Sequence, residues 1–409
     1  MDGKYIARLM KYVMGFYELD AQSCIEFVCD GHSANRRAFN QYLRTRIPNA
    51  TYMTCFAHMW NNVHKDFIDS MPQINKFLSL AKMLFANSDQ RVLAWQLFLE
   101  DRGIFKARPV FYVASRWSTW LKSGQYWLRY FDHFSEFIDE VDSAAQCISE
   151  LKVLLRDYRQ SVLVKFQLIL LAILAIPLES KLAKCESSSL PAAPFVLQAV
   201  SKMQEFFSQA KVDCQDSKSI PESELFRDIP TNFDDARSEF RAALSKASKR
   251  LSNLIANEPS LRHPGASFLE AVQIFSPAAL RSKRSNLSHQ DIERWKGHLK
   301  CVKDVTAEEW ADYIRMIKDF PELHRPEIVD LDDYWKKMAE DFPNLSRIAL
   351  LNIWLTVNSV EVERGFSYMH TFLGSRRGSL TEKNIACLMS FCFNVRERSS
   401  NDVIRRFIS

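Results

Sequence analysis

A chain of 409 residues, 47% hydrophobic and 25% charged, has the composition of a globular protein and is long enough for two or three lobes. Ten glycines against 29 phenylalanines favour long helices over a turn-rich β architecture. The 54 Lys and Arg exceed the 49 Asp and Glu by only +5, which permits an anionic partner without requiring one. Nine cysteines without a CxxC pair, and no secretory signal after Met1, fit a reducing compartment and exclude a disulfide scaffold.

In chain order, "YIARLMKYVMGFYEL" sets Ile6, Leu9, Met10, Val13, Met14 and Phe16 at helical spacing, which predicts an amphipathic helix. "CIEFVCD", Cys24 to Asp30, is a short apolar run that predicts a buried strand. "SANRRAFNQYLRTRI" follows as a helix with Ser33 as its N-cap, and "TYMTCFAH" as a second strand with His58 at its end. Strand, helix and strand in so few residues predict a βαβ unit with parallel neighbours.

From about residue 62 to 350 the patterns are helical. Phe240, Leu244, Ala247, Leu251 and Leu254 recur every three or four residues, as on a bundle helix. The most apolar run, Leu168 to Ile176, is nine residues, short of the roughly 20 that span a bilayer. It predicts a buried helix and no membrane. "PNLSRIALLNIWLTV" is a further buried helix, running into "NSVEVERGFS", and Thr381 caps a last helix with Ile385, Leu388, Met389 and Cys392 on one face.

Several side chains have chemistry worth placing. Asp30 ends a strand of a βαβ unit, the edge where α/β sheets bind ligands, or else it caps the next helix. Glu363 reads equally as a helix-start carboxylate. Cys55 and His58 with His64 offer too few ligands for a structural zinc, so no zinc is expected. Arg116 and Trp117 could pack, or could grip phosphate and stack on a base.

Taken in order, "VCDGHSANRRAF", "TCFAHMWNNV", "PVFYVASRWSTWL" and "SVEVERGFS…SRRGSLTEKNIACLMSF" resemble the transposases of the hAT superfamily, and most the branch similar to CGG-triplet-repeat-binding protein. The resemblance covers essentially the whole chain. It implies an α/β, predominantly α fold: a partial ribonuclease-H-like core interrupted by a large all-helical insertion, with a C-terminal helical dimerisation segment. The divisions it suggests are 1–62 for the first part of the core, 63–345 for the insertion, and 346–409 for the last core helix and the dimerisation region.

By the same resemblance Asp30 and Glu363 are catalytic and bind Mg²⁺ or Mn²⁺ in an active enzyme, with Glu361 a mere neighbour. Cys55, His58, Arg116, Trp117, Arg364, Arg376 and Arg377 fall on motif or DNA-binding positions. Ile385, Leu388, Met389 and Phe391 fall on the dimerisation face. The family's first catalytic aspartate and opening three strands have no counterpart here, because the helix that should follow them begins just after Met1. The expectation is therefore a nuclear, DNA-binding homodimer or higher oligomer, derived from a transposase and catalytically inactive. The alternative is a non-enzymatic interaction protein derived from a transposase, which dimerises or binds DNA without cutting it.

Overall fold

The computed structural model describes residues 2–113, 118–141, 145–186, 190–213, 234–282, 289–302, 305–319, 330–365 and residue 384. The chain opens with α1 (Gly3–Phe16), whose buried face is Gly3 and Ala7 with Ile6, Met10 and Met14 beside them. Leu9, Val13 and Phe16, expected on that face, are exposed instead. The reason is close approach: a Cβ on Gly3 would stand 2.9 Å from the Ala34 carbonyl oxygen and the Ala38 nitrogen, so the helix turns its smallest residues toward its neighbour.

That neighbour is α2 (Ser33–Ala38), which joins β1 (Glu26–Cys29) to β2 (Thr51–Thr54). The two strands pair in parallel, Glu26 with Thr51 through Cys29 with Thr54, so the βαβ unit expected from sequence is present. His32, not Ser33, caps α2: its Nδ1 accepts the Ala34 N–H at 3.2 Å. The helix does not run on to Ile47 but loosens into a π-helical turn at Phe39–Leu43. Both faces of this small sheet are covered, as parallel strands require. Phe27, Phe39 and Tyr52 stack on the α1 and α2 side, while Met53 faces the main core.

The body is helical: α3 (Phe56–Ile68), α4 (Pro72–Phe85), α5 (Asp89–Asp101), α6 (Thr119–Glu140), α7 (Gln146–Arg156), α8 (Tyr158–Glu186), α9 (Val196–Asp213) and α10 (Asp234–Asn253). The apolar run Leu168 to Ile176 sits inside α8, a 29-residue helix whose stretch Tyr158–Cys185 is long and apolar enough by length and composition to cross a membrane. Just over half of its most apolar 18-residue window is buried, and the helix packs against α3, α4, α6 and α7. Gly124 of α6 is the close-approach point: a Cβ there would meet the Leu171 Cδ2 at 2.0 Å. The stripe Phe240, Leu244, Ala247, Leu251 and Leu254 is buried throughout, as its spacing predicted.

α10 is also tied to α3 by charge. Asp66, 1% exposed, receives the Arg250 Nε at 2.7 Å and Nη2 at 2.8 Å, with the Lys246 ammonium at 3.2 Å. Then follow α11 (Ala266–Ala271), α12 (Pro277–Ser282), α13 (His289–Lys296), α14 (Ala307–Asp319), α15 (Leu331–Lys337) and α16 (Pro343–Ile353). α16 buries Leu345, Ile348, Ala349 and Ile353, as expected, but stops there. Residues 355–359 are not helical, and a new helix starts at Val360.

Candidate functional site

The site forms where the C-terminal end of β2 meets residues 356–363. Cys55 caps α3, and its N–H donates to the Cys29 carbonyl at 2.8 Å, continuing the sheet ladder by one bond. Phe56 then donates its N–H to the Val357 carbonyl at 2.9 Å, and the Ser359 N–H donates to the Cys55 Sγ at 3.2 Å. The Asn358 Oδ1 accepts the Val360 N–H at 2.9 Å and so starts the helix that carries Glu363. Its amide also donates to the Cys185 carbonyl at the end of α8. Those bonds pin the first turn of two helices against one another across the whole length of the chain.

His58 therefore lies in the first turn of α3, not at the end of a strand as the sequence suggested. β2 ends at Thr54, because Cys55 turns its backbone into a helix cap. The His58 Nε2 is 3.8 Å from the Glu363 Oε1. A hydrogen bond with Cys55 raises the His58 pKa most. Burial opposes it, and the fields of the Cys55 thiol, Glu363 and Asp30 raise it further. Burial pushes the Cys55 thiol up, but hydrogen bonds from His58 and Ser359 outweigh that and leave it below its ordinary value.

Asp30, half-buried at the end of β1, acts on His58 through space. Its Oδ1 accepts the His32 N–H at 2.9 Å and the Asn35 Nδ2 at 2.6 Å. This carboxylate thus organises the turn into α2 while facing the imidazole. Arg364 is engaged by the neighbouring Glu361 on the solvent side.

A two-metal centre needs several carboxylates converging on one point. Among the described residues no group of three or more His, Cys, Asp or Glu is placed to hold a metal ion. Asp30 commits one oxygen to two donors, and His58 stands against Glu363. The described residues do not fit a divalent-cation clamp. What they make is an imidazole beside the Glu363 carboxylate and within the field of Asp30, at the open end of a βαβ layer.

Two residues that the sequence reading left aside complete the surroundings. Glu26 of β1 accepts the Thr356 N–H at 2.9 Å on Oε2, while its buried Oε1 has no partner among the described residues. Burial raises its pKa to about 8, against the opposing effects of the Thr356 hydrogen bond and the Lys300 charge. An acid inside the apolar run "CIEFVC" is the available signal. His263, buried and pushed down to about 4 by desolvation, accepts the Gly265 N–H on Nδ1. Its Nε2 lies 3.0 Å from the Thr54 carbonyl and 2.6 Å from the Thr54 Oγ1, which fixes the last residue of β2. Its partner lies 209 positions away, so no local pattern marks it.

Arg116, Trp117, Arg376, Arg377, Ile385, Leu388, Met389 and Phe391 lie outside the described residues, as do Thr381 and Cys392.

Residues 309–394 match the hAT family C-terminal dimerisation region. The matched stretch begins well ahead of Ser359: it takes in α15, α16 and most of α14 and includes Glu363. Its described part contributes to the main core through Trp310, Tyr313, Trp335, Leu345 and Ile348, all buried, and exposes other residues between them. No curated protein matches the chain.

Proposed function

We propose that this chain is a hAT-type transposase or transposase-derived protein, of the branch similar to CGG-triplet-repeat-binding protein. In this reading it self-associates through its C-terminal region and binds DNA in the nucleus without cleaving it. The match over residues 309–394 carries the reading, because a region of that family is one that pairs two chains. The parallel β1–α2–β2 layer is compatible with part of a ribonuclease-H-like core, and Asp30 and Glu363 both act on His58 at its open end.

DNA binding would rest on phosphate contacts from Arg36 and Arg37 on α2, Arg364, and the motif residues Arg116, Arg376 and Arg377. Such contacts release counterions and weaken steeply with salt. The test is one preparation of purified chain assayed three ways. Light scattering should give a discrete species near twice 47.5 kDa. Duplex DNA should bind at low salt and dissociate as salt rises. Nicking with Mg²⁺ or Mn²⁺ should be absent. Cleavage abolished by Glu363→Gln would replace the inactive reading with an enzymatic one, and salt-insensitive DNA binding would refute the phosphate-contact account.

A further inference from the structure

The end of α8, the start of α9 and the start of α15 enclose a cavity of about 400 Å³, the size that takes a small organic molecule. Its walls are largely apolar, with Pro191, Phe195 and Leu331 among them. Three lysines line it: Lys181, half-buried, and Lys184, one turn apart on α8, and Lys202 on α9, the last two exposed. No ion pair among the described residues engages any of the three. Asp330 also lines the cavity, but its Oδ1 accepts the Asp332 N–H at 2.9 Å and caps α15.

Like charges gathered in a concave apolar wall repel, and a chain gains nothing by folding them together unless an anion joins them. Burial lowers the Lys181 pKa first, and the charges of Lys184 and Lys202 lower it further. Lys184 also suits the last turn of α8, where a cation offsets the helix dipole. Lys202 has no such role, since it sits near the opposite, positive end of α9. That end itself reaches the cavity through Val196, which brings the positive end of the helix dipole to the wall.

We propose that this cavity binds an organic phosphate, with the dianionic head held by Lys181, Lys184 and Lys202 and an apolar body lying against Pro191, Phe195 and Leu331. Phosphate matches the site better than a carboxylate because it presents two charges and three acceptor oxygens to three point-charge donors. The Cys185 carbonyl, at the same wall, accepts from the Asn358 amide, so the bound molecule lies beside the segment that leads to Glu363.

Pyridoxal 5′-phosphate is a suitable probe, because its aldehyde condenses with a nearby lysine amine and borohydride reduces the imine to a stable adduct. The full chain is labelled with it and, in parallel, with pyridoxal, which lacks the phosphate. Peptide mapping should place the adduct on Lys181, the least exposed of the three, with the phosphate then left to Lys184 and Lys202, at a half-saturating concentration at least tenfold lower than for pyridoxal. Lys184→Glu with Lys202→Glu should abolish that preference, while Phe195→Ala should weaken it; the two lysines are exposed, so the fold is not at risk. Equal labelling by the two aldehydes, or adducts spread evenly over exposed lysines, would overturn the proposal. So would stronger protection by duplex DNA than by a nucleoside monophosphate at equal phosphate concentration, since the lysines would then belong to a nucleic-acid surface.

Discussion

Glu26 and His58 have opposite chemistries but drive stability in the same direction with pH. Glu26 is an acid whose folded pKa, about 8, lies above its ordinary 4.5. Between those values the native state holds a proton that the unfolded state has lost, so stability falls as pH rises through that window. Glu26→Gln keeps an acceptor for the Thr356 N–H and removes the titration. It should raise the unfolding free energy at pH 8 by about 1 to 4 kcal/mol while changing it little at pH 4. Chemical denaturation at the two pH values checks this, and an unchanged difference between them would refute it. His58 is a base with a raised pKa, so its contribution is complete below 6.5 and is lost as pH climbs through the higher folded value. Glu363 is about half exposed, which keeps the contribution below about 1 kcal/mol. The measurement is therefore spectroscopic: an NMR titration of His58 should give a midpoint above 6.5 that moves down in Glu363→Gln.

At the scale of elements, α10 is held to α3 by a bidentate guanidinium on a buried carboxylate. Arg250→Met leaves Asp66 with Lys246 alone at 3.2 Å and should destabilise the fold by about 2 kcal/mol, reduced from the buried-pair range because Arg250 is partly exposed. Asp66→Leu with Arg250→Met should recover much of that loss, which a double-mutant cycle would read. Gly124→Ala tests the α6–α8 crossing. With Leu171 in the way, it should cost about 1 to 3 kcal/mol, whereas helix propensity alone would make it stabilising.

These elements also show what a sequence discloses. The stripe on α10 and the parallel βαβ unit were legible because burial on one face imposes a period, and a period is local. The burial of α1 was misread because Gly3 and Ala7 carry no hydrophobic signal, yet close packing selects them. His58 was assigned to a strand because the turn at Cys55 is fixed by bonds to Val357 and Ser359, some 300 positions away. Asp30 and Glu363 were singled out only as members of short motifs, each with an ordinary helix-start explanation. Their common neighbour, His58, is a fact of tertiary structure.

For the whole molecule the decisive quantity is its state of association. α14, α15 and α16 of the matched stretch each bury one face in the chain's own core, so the proposed pairing would fall to other side chains of that stretch. Leu388→Asp plus Phe391→Asp should convert a species of about twice 47.5 kDa to a monomer without loss of helical signal. A wild-type chain that is monodisperse and monomeric at micromolar concentration would end the proposal of self-association.

The bonds from Cys55 and Phe56 to residues 357–359, and from Glu26 to Thr356, also set an order of events during synthesis. They close loops of about 300 residues, the slowest kind of contact to make. While the ribosome is still adding α16, every residue of the βαβ layer has been made, but the Thr356 donor for Glu26 does not yet exist. The helical body can assemble meanwhile from near neighbours such as α6 and α8. Among the contacts of the described residues, His58–Glu363 is thus one that waits for the C-terminal part of the chain, and a nascent polypeptide released before Thr356 emerges would lack it.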